Sequence, residues 1–386
     1  MKVTLGELVS LRRGNSYKGS LAGESGFPLL GLGTISREGG FKGEKLRFYP
    51  EEFSDRIAVS AGDVYVSLKD MTQEAALLGA AARVPEGIER ARLTQDTIAV
   101  DILDGSPISS EYLYWTLRSP QCRRHCKSLA TGTTNLDLAR NDFLSYEFEL
   151  PSLDEQRATG EVLGALDDKI AANRRVIGSS VALATQIVAR EAVGPDRQLS
   201  EIADVQMGSS PRGADLNEDG DGMEFYQGVR DFGPLSPTPR VFATVTPRRA
   251  NAGDTLLAVR APVGEVNWAR NETCIGRGLA AVRSVGTPTT IHYLLKRFAS
   301  RWDEHEGSGT VFSSVTGPQV KGMRFPTVPE ASAEDVEQVV ASIHHRALSA
   351  EAESEVLART RDELLPLLMN GRISVKDAER VVGDVV

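Results

Sequence analysis

The chain contains a partial copy of itself, and this duplication limits the folds it can adopt. The segment LGELVSLRRGNSYKG, residues 5–19, aligns with LSEIADVQMGSSPRG, residues 199–213, at an offset of 194. The two segments share a leucine, a glutamate, two glycines and a serine at equivalent positions. Two copies are too few for a solenoid, so the sequence predicts two globular modules built on one plan.

Further matches follow in the same order along both copies. GDVYVSLK, residues 62–69, aligns with GDTLLAVR, residues 253–260, and the YL pair at 112 aligns with the YL pair at 293. Short apolar runs between turn residues, such as TIAVDI from residue 97 and TLLAV from residue 255, predict strands. Helices are predicted near Tyr112–Leu117 and His292–Phe298. Each module is therefore expected to be a small, strand-rich mixed α/β domain.

A long helix is predicted after each module. SLDE at 152–155 and SAED at 332–335 both have the form of a capping box that opens a helix, and the first helix is expected to end before Gly194-Pro195. Both helices carry apolar and small residues at heptad spacing. In the first these are Leu163, Ile170, Ile177 and Ala184 with Leu166, Asn173, Ser180 and Ile187; in the second they are Val340, Ala347 and Ser354 with Ile343, Ala350, Leu357 and Leu364.

Neither helix can bury such a stripe alone, so the two are predicted to pair. Because each helix leaves its module in an equivalent place, an internal pseudo-two-fold would make the pair antiparallel. Asn173 has two interpretations: a polar seam residue that fixes the register of the pair, or a solvent-facing residue on a slightly rotated helix.

The composition is that of an ordinary globular protein, with 41% hydrophobic and 25% charged residues among 386. Three cysteines imply no disulfide framework and favour a reducing cytoplasm. No run approaches the length of a membrane span, and the N-terminus lacks an apolar signal core. The net charge is −9, and the excess acid lies in residues 331–386, which contain 6 basic and 11 acidic side chains.

Motifs of common enzyme classes are missing from the sequence. It contains no phosphate-binding G-x-x-x-x-G-K-[ST] loop, no H-E-x-x-H, no G-x-S-x-G and no G-x-G-x-x-G after a strand. CRRHC, residues 122–126, places two thiols on one helical face, but a tetrahedral metal site normally needs four ligands. We therefore predict neither a metal site nor a catalytic residue in this chain, and we expect catalysis on another subunit.

Two segments resemble a known family. LPSLDEQ at 150–156, followed by Leu163, Leu166-Asp167 and Lys169-Ile170, is similar to the central conserved region of the DNA specificity subunits of type I restriction-modification systems. RDELLPLLMNGRI at 361–373 is similar to their C-terminal conserved region. The second copy departs from the pattern, because FPTVPEA at 325–331 lacks the Glu-Gln pair.

The resemblance implies a fold and a division into domains. Two target recognition domains, 1–150 and 196–330, would be separated by a pair of long antiparallel coiled-coil helices, with a central helical region at 151–195 and a C-terminal one at 331–386. Each recognition domain would read half of a bipartite DNA sequence.

The resemblance also implies the partners and cofactors. The chain would be a non-catalytic, cytoplasmic subunit that binds double-stranded DNA, two methyltransferase subunits and a restriction or translocase subunit. S-adenosylmethionine, and ATP with Mg²⁺, would be held by those partners. The candidate partner-binding residues are Glu155, Gln156, Asp167, Lys169, Arg361 and Asp362.

The candidate DNA-binding residues are cations and hydroxyl groups, since cations neutralise phosphates and arginine can read guanine. In the first module all but one of them lie in a segment free of acids, residues 112–136. We assign Tyr112 and Trp115 of this segment to the core. The candidates of the first module are Lys69, Arg118, Arg123, Arg124, Lys127, Thr133 and Thr134. In the second module they are Arg260, Arg270, Arg277, Lys296, Arg297, Arg301, Ser308 and Thr310. The hydroxyl-rich loops have a simpler interpretation as turns.

Two functions from other classes fit the same pattern. The acidic balance is consistent with a helical scaffold or adaptor whose modules bind protein, and a DNA-modifying enzyme with an unrecognised site is a third reading. Salt dependence distinguishes DNA recognition from the adaptor function. Phosphate contacts give a steep slope of log affinity for DNA against log salt concentration, and a protein-only adaptor gives none.

The paired helices predict a ruler between the two modules. One heptad inserted into each helix, after Ile177 and after Ala350, lengthens the pair by about 10.5 Å and keeps both seams in phase. Base pairs stack at about 3.4 Å, so the unread gap between the half-sites should grow by about three base pairs. The measurement is the methylated DNA motif produced by the lengthened protein.

A single insertion is the control, because it moves one seam out of register with its partner and should reduce activity. An active double-insertion protein that keeps the original gap would show that the helices only pack and do not set the spacing.

Overall fold

The computed structural model describes residues 1–43, 46–133, 135–305 and 314–383. They form two compact units: unit 1 consists of Met1–Lys169 and Val356–Val386, and unit 2 of Ile170–Glu355. Each unit contains one predicted module and part of both long helices. The domain boundaries expected at residues 150, 195 and 330 stay predictions.

The first part of unit 1, Met1–Lys169, is strand-rich, with three short helices and several single 3-10 turns. Its strands are β1 (Lys2–Thr4), β2 (Val9–Arg13), β3 (Phe27–Leu30), β4 (Arg47–Tyr49), β5 (Ala58–Val59), β6 (Val64–Ser67), β7 (Lys69–Asp70), β8 (Ala81–Arg83), β9 (Ala91–Leu93), β10 (Thr97–Ile102), β11 (Leu136–Asp137) and β12 (Glu147–Glu149). Its helices are α1 (Ser110–Arg118), α2 (Pro120–Ser128) and α3 (Arg140–Leu144). The first long helix, α4 (Leu153–Glu191), follows.

Unit 2 repeats this order. Its strands are β13 (Arg197–Gln198), β14 (Asp204–Met207), β15 (Leu216–Asn217), β16 (Met223–Tyr226), β17 (Val241–Ala243), β18 (Arg249–Ala250), β19 (Thr255–Ala258), β20 (Val266–Trp268), β21 (Thr273–Ile275), β22 (Leu279–Arg283) and β23 (Arg324–Phe325). Its helices are α5 (Leu199–Ile202), α6 (Pro288–Arg297) and α7 (Gly317–Gly322). The second long helix, α8 (Glu330–Met369), and α9 (Val375–Gly383) complete the chain.

The two units share one sheet topology. An antiparallel sheet of order β2-β10-β6-β8 in unit 1 corresponds to β14-β22-β19-β20 in unit 2. A second sheet, β4-β3-β9-β5, corresponds to β17-β16-β21-β18, which adds β15 at one edge. The central pairs β3–β9 and β16–β21 are both parallel. The predicted duplication and the mixed α/β fold are therefore confirmed.

Two glycines shared by the copies have a common structural cause. The N–H of Gly14 donates to the Thr97 carbonyl at 3.1 Å, and the N–H of Gly208 donates to the Leu279 carbonyl at 2.9 Å. A Cβ atom at Gly14 would lie 2.1 Å from the Thr94 carbonyl oxygen, and one at Gly208 would lie 2.2 Å from the equivalent oxygen of residue 276. Each sheet needs glycine here because a loop crosses directly over the strand end.

The predicted elements inside the modules lie where the pattern placed them. β10 occupies residues 97–102, and α1 and α6 cover the two predicted helices. Tyr112 and Trp115 are each 1% exposed, which confirms their assignment to the core. A search of the described helices finds none with the length and apolarity needed to cross a lipid bilayer.

The start of α4 is the predicted capping box. The N–H and the hydroxyl of Ser152 donate to Glu155 Oε2 at 3.0 and 2.8 Å. The N–H of Glu155 in turn donates to the Ser152 hydroxyl oxygen at 3.4 Å. The matching prediction for Ser332 is wrong, because α8 begins two residues earlier. The N–H and hydroxyl of Ser332 both donate to the Pro329 carbonyl, so this serine closes the first turn from inside the helix.

In unit 2 the long helices run antiparallel. Asn173, early in this part of α4, donates from Nδ2 to Glu353 Oε2 at 2.7 Å, late in this part of α8. Val188 and Val336, at the other ends of these parts, share one hydrophobic core. Asn173 is 5% exposed, so the buried-seam interpretation of this residue is confirmed.

Most residues of the predicted heptad rows are buried, but Ser180, Ile187, Ile343 and Ser354 are half-buried. In unit 1 the buried seam residues are Leu163, Leu166, Leu357 and Leu364, and in unit 2 they are Ile170, Asn173, Ile177, Ala184, Val340, Ala347 and Ala350. All four of these residues in unit 1 are leucines, whereas three of the seven in unit 2 are alanines.

Substituting Gly14 with alanine should destabilise unit 1. The added methyl group would overlap a backbone carbonyl that cannot rotate away, so we expect a loss of at least about 1–3 kcal/mol in the free energy of unfolding, the usual cost of overpacking. Urea unfolding of the full chain measures the change.

Gly19→Ala is the matched control, because no atom lies within 4 Å of its Cβ position. It should leave stability unchanged or raise it slightly through the unfolded state. Equal unfolding midpoints for the two variants would show that the crossing loop tolerates a side chain at residue 14.

Candidate nucleic-acid interface

The segment around α1 and α2 divides into buried and exposed cations. Ser119 ends α1 and caps α2, accepting from the Cys122 N–H at 3.2 Å, and Pro120 starts the new helix. Along α2, Arg124 and Lys127 are exposed, whereas Arg123 is half-buried. Only some of the predicted cations therefore present their charge on the surface of unit 1.

Arg123 has a structural role inside unit 1. Its guanidinium donates to the backbone carbonyls of Ala76 and Arg37, which belong to loops far from it in sequence. Burial lowers the pKa of Arg123. Sequence reasoning assigned this side chain to DNA because a buried arginine that satisfies carbonyls has the same local pattern as an exposed one.

Three predicted site residues bind one another. Asp167 on α4 accepts from Arg118 on α1 and from Arg361 on α8, each at 2.5 Å. The Arg118 side chain is 3% exposed, that of Arg361 is 10% exposed, and Arg118 also stacks over Trp115 at 4.6 Å. Burial alone would raise the pKa of Asp167, but the charges and hydrogen bonds of the two guanidinium groups outweigh burial and lower it.

This cluster ties three helices of unit 1 together. The Arg118 side chain is 3% exposed and holds Asp167, so Arg118 is not one of the exposed cations of unit 1. Asp167 and Arg361, which the family resemblance assigned to partner binding, likewise have a partner within this chain.

The remaining candidates for partner binding differ in exposure. Gln156 is 1% exposed, donates to the carbonyls of Pro107 and Pro151, and accepts from the Ser109 N–H, so it anchors the start of α4 within unit 1. Glu155 is exposed beside the helix cap. Asp362 is 48% exposed, although it pairs with Arg361. Glu155, Asp362 and Lys169 stay predictions.

A cavity of about 320 Å³ lies at the edge of unit 1, and Lys69 is one of its walls. Arg13, at the end of β2, and Arg140, at the start of α3, also line it. Lys69 Nζ lies 3.8 Å from an oxygen of Asp96 and 3.6 Å from an oxygen of Asp137. The structure thus joins one predicted cation to two that sequence reasoning missed.

Arg140 was missed because it lies between Asp137 and Asp142, whereas Arg13 lies in a short run without acids, residues 8–23, that was not assigned to DNA. The available signal was the duplication, in which RRG at 12–14 aligns with QMG at 206–208. The glycine is the same in both copies, which indicates the same backbone, but the side chain before it is charged in one copy and apolar in the other.

The predicted cations of unit 2 also divide. Arg260, Arg277 and Arg297 are exposed. Arg270 donates to Glu351 at 2.7 Å and to Glu355 at 2.8 Å, and Arg301 donates to Asp196 at 2.9 Å, so both have internal partners. Burial lowers the pKa of the half-buried Lys296.

Three hydroxyl candidates lie outside the described residues: Thr134, Ser308 and Thr310. Thr133 is described and exposed, and its carbonyl accepts from Gln73. Among the described residues, no group of three His, Cys, Asp or Glu side chains could hold a metal ion, and the three cysteines are buried thiols.

Comparisons with known proteins bear on the family. No family model matches the chain. A Methanocaldococcus jannaschii protein assigned as the type I restriction enzyme MjaX specificity subunit is 26% identical over 296 residues, covering 70% of this chain and 69% of that protein. The MjaVIII specificity subunit of the same organism is 22% identical over 178 residues, 45% of this chain and 40% of that protein. The predicted resemblance to type I specificity subunits is confirmed.

One solved structure shares the fold. The crystal structure of the type I restriction-modification S subunit from M. genitalium matches with a TM-score of 0.58, at 16% identity, over 96% of each chain. At this identity the match supports the architecture alone. It agrees with the duplicated topology found in the two units.

Asp167→Asn should destabilise unit 1, because the amide keeps the volume of the carboxylate but leaves Arg118 without a counter-charge and Arg361 with Asp362 alone. Breaking a buried ion pair costs about 3–5 kcal/mol, and we expect the lower end since the Asp167 side chain is 26% exposed. The pKa of Asp167 is lowered in the folded state. Its contribution to the free energy of unfolding is therefore complete above the pKa of an unfolded Asp, about 3.9, and is lost as pH falls below that value toward the folded pKa.

Urea unfolding at neutral pH and near pH 3, together with hydrogen exchange in α1, tests this prediction. The difference from the unmodified chain should shrink at the lower pH. Asp168→Asn, an exposed neighbour on the same helix, is the control and should change little. Identical stability of the two variants would contradict a supporting role for the cluster.

Proposed function

We propose that this chain recognises a bipartite DNA sequence and recruits methyltransferase subunits to it, with no catalytic activity of its own. The observation that carries the proposal is the repeated sheet topology of units 1 and 2 in a chain similar to type I specificity subunits. Two modules of one fold suit a target made of two half-sites, because each can present different side chains from an equivalent position.

Exposed cations supply the candidate contacts to the DNA backbone. Arg124 and Lys127 in unit 1, and Arg260, Arg277 and Arg297 in unit 2, are exposed. Each such cation that neutralises a phosphate releases counterions and steepens the salt dependence of binding. The net charge of −9 is compatible with this role, because the excess acid is concentrated in residues 331–386 and partner subunits add their own field.

The methyl transfer itself belongs to partner subunits in this proposal. A methyltransferase partner holds S-adenosylmethionine, and a restriction or translocase partner uses ATP with Mg²⁺. Glu155, Lys169 and Asp362 are the candidates for contact with these subunits. The function of this chain is then to position a shared catalytic partner at a chosen sequence.

Methylome sequencing of host cells with and without this chain tests the proposal. We expect a bipartite methylated motif that disappears on deletion. Replacing residues 1–150 with the equivalent module of a relative should then alter one half of the motif and leave the other half unchanged.

The reciprocal exchange of residues 196–330 is the control and should alter only the other half. A motif that survives deletion of the chain would contradict DNA recognition by this protein. A change of both halves after a single exchange would contradict independent reading.

A further inference from the structure

The cavity at the edge of unit 1 combines donors and acceptors in one place. Its walls include the cations Arg13, Lys69 and Arg140, the acids Asp96 and Asp137, and Gln95. Arg13 and Arg140 are both exposed. Asp96 and Asp137 both lie within ion-pairing distance of Lys69, and their remaining oxygen lone pairs are free to accept from a ligand.

The frame of the cavity is fixed by hydrogen bonds. β7 pairs with β11, which sets Lys69 opposite Asp137. Next to Lys69, the buried Asp70 accepts from the N–H and hydroxyl of Thr72 at 2.8 and 2.9 Å and from the Leu77 N–H at 2.6 Å. The backbone around Lys69 and Asp137 is therefore fixed before any ligand binds, which favours selective recognition.

The two arginines differ in how they are held. The Nε of Arg13 donates to the Gln95 carbonyl at 2.9 Å, and this bond fixes the plane of the guanidinium and leaves both terminal nitrogens for a ligand. The Arg140 side chain makes no hydrogen bond or ion pair with any residue that the structure describes. Arg13 thus has the fixed fork that bidentate recognition needs, whereas Arg140 acts as a mobile charge.

The chemistry of these walls matches a G·C base pair. Guanine presents O6 and N7 as adjacent acceptors for a bidentate arginine, and cytosine presents an N4 amino group that donates to a carboxylate. A phosphate inside the cavity would be drawn by the arginines but repelled by Asp96 and Asp137, so the phosphate contact assigned to Arg140 below lies outside the cavity. A base-pair edge satisfies both kinds of wall.

Unit 2 has other side chains at the equivalent positions. Met207 precedes Gly208 as Arg13 precedes Gly14, and Gly317 begins α7 as Arg140 begins α3. A Cβ at Gly317 would lie 3.3 Å from Met207 Cγ, so the methionine covers the surface where the arginines of unit 1 line a cavity. The same frame therefore holds a charged cavity in one unit and an apolar contact in the other.

We propose that the unit 1 cavity reads a G·C base pair in the half-site of that unit, with Arg13 donating to guanine and Arg140 binding an adjacent phosphate. This inference rests on the proposed function and goes further by naming a residue that determines the sequence. Arg13 is the specificity determinant, and Arg140 adds affinity without selecting a base.

The experiment uses the complex assembled with its host partner subunits. Arg13→Lys keeps the charge but loses the fork, so one G·C position of the unit 1 half-site should become degenerate, with discrimination reduced by about 5- to 150-fold. The other half-site should be unchanged. Methylome sequencing and binding to duplexes substituted at each position measure both results.

Arg140→Ala should weaken binding to all duplexes equally and reduce the salt slope by about one. Arg56→Ala, an exposed arginine of the same unit outside the cavity, is the matched control and should preserve both motif and affinity. Exchange of residues 1–150 identifies which half-site belongs to unit 1.

An unmodified complex without any bipartite motif would contradict the proposed function itself. A bipartite motif that Arg13→Lys and Arg13→Ala both leave intact, or a unit 1 half-site without a G·C pair, would overturn only the assignment of this cavity. Melting temperature completes the test: an Arg13→Lys complex that melts early and loses both half-sites equally would show a structural role and also overturn the assignment.

Discussion

The fold depends on the inability of either long helix to bury its apolar stripe alone. In unit 1 the first turns of α4 find their partner in the last turns of α8, and Asp167 joins the two helices to α1. In unit 2 the later turns of α4 pair with the earlier turns of α8. Each unit therefore needs chain segments separated by well over a hundred residues, and unit 1 can be completed only when the C-terminal helix is present.

The polar contacts in these seams specify the pairing more than they stabilise it. Removing charges from water costs nearly as much free energy as their mutual attraction returns. The Asp167 cluster is therefore expected to stabilise the fold little more than well-packed apolar residues at the same positions would. A shifted register would leave Asp167 or Asn173 buried without a partner, at a large cost. Leucines in unit 1 and small residues in unit 2 make the two seams unlike, which further disfavours exchange between them.

Sequence reasoning recovered what local physics determines. The strand at residues 97–102, the cap at Ser152 and the buried faces of α1 follow from periodicity and from hydrogen bonds three or four residues apart. It failed for Ser332, which was predicted to cap α8. The helix begins earlier, and the Ser332 hydroxyl donates to the Pro329 carbonyl in its first turn.

It failed also where a side chain finds its partner far along the chain. Arg118 meets Asp167 49 residues away, and Arg123 meets carbonyls of two distant loops. No local pattern distinguishes such an arginine from one that faces solvent. The cavity formed by Arg13 and Arg140 was missed for the same reason, because its walls come together only in the folded sheet.

The shared glycines explain how one fold can hold two recognition chemistries. At Gly14 and Gly208 a loop carbonyl lies where a side chain would be, so the backbone path there is fixed in both units. The Cα of the residue just before each glycine therefore has the same position in its unit, whatever its side chain is. Arginine in one unit and methionine in the other change the surface without changing the frame, which under the proposed function lets one chain match two unlike half-sites.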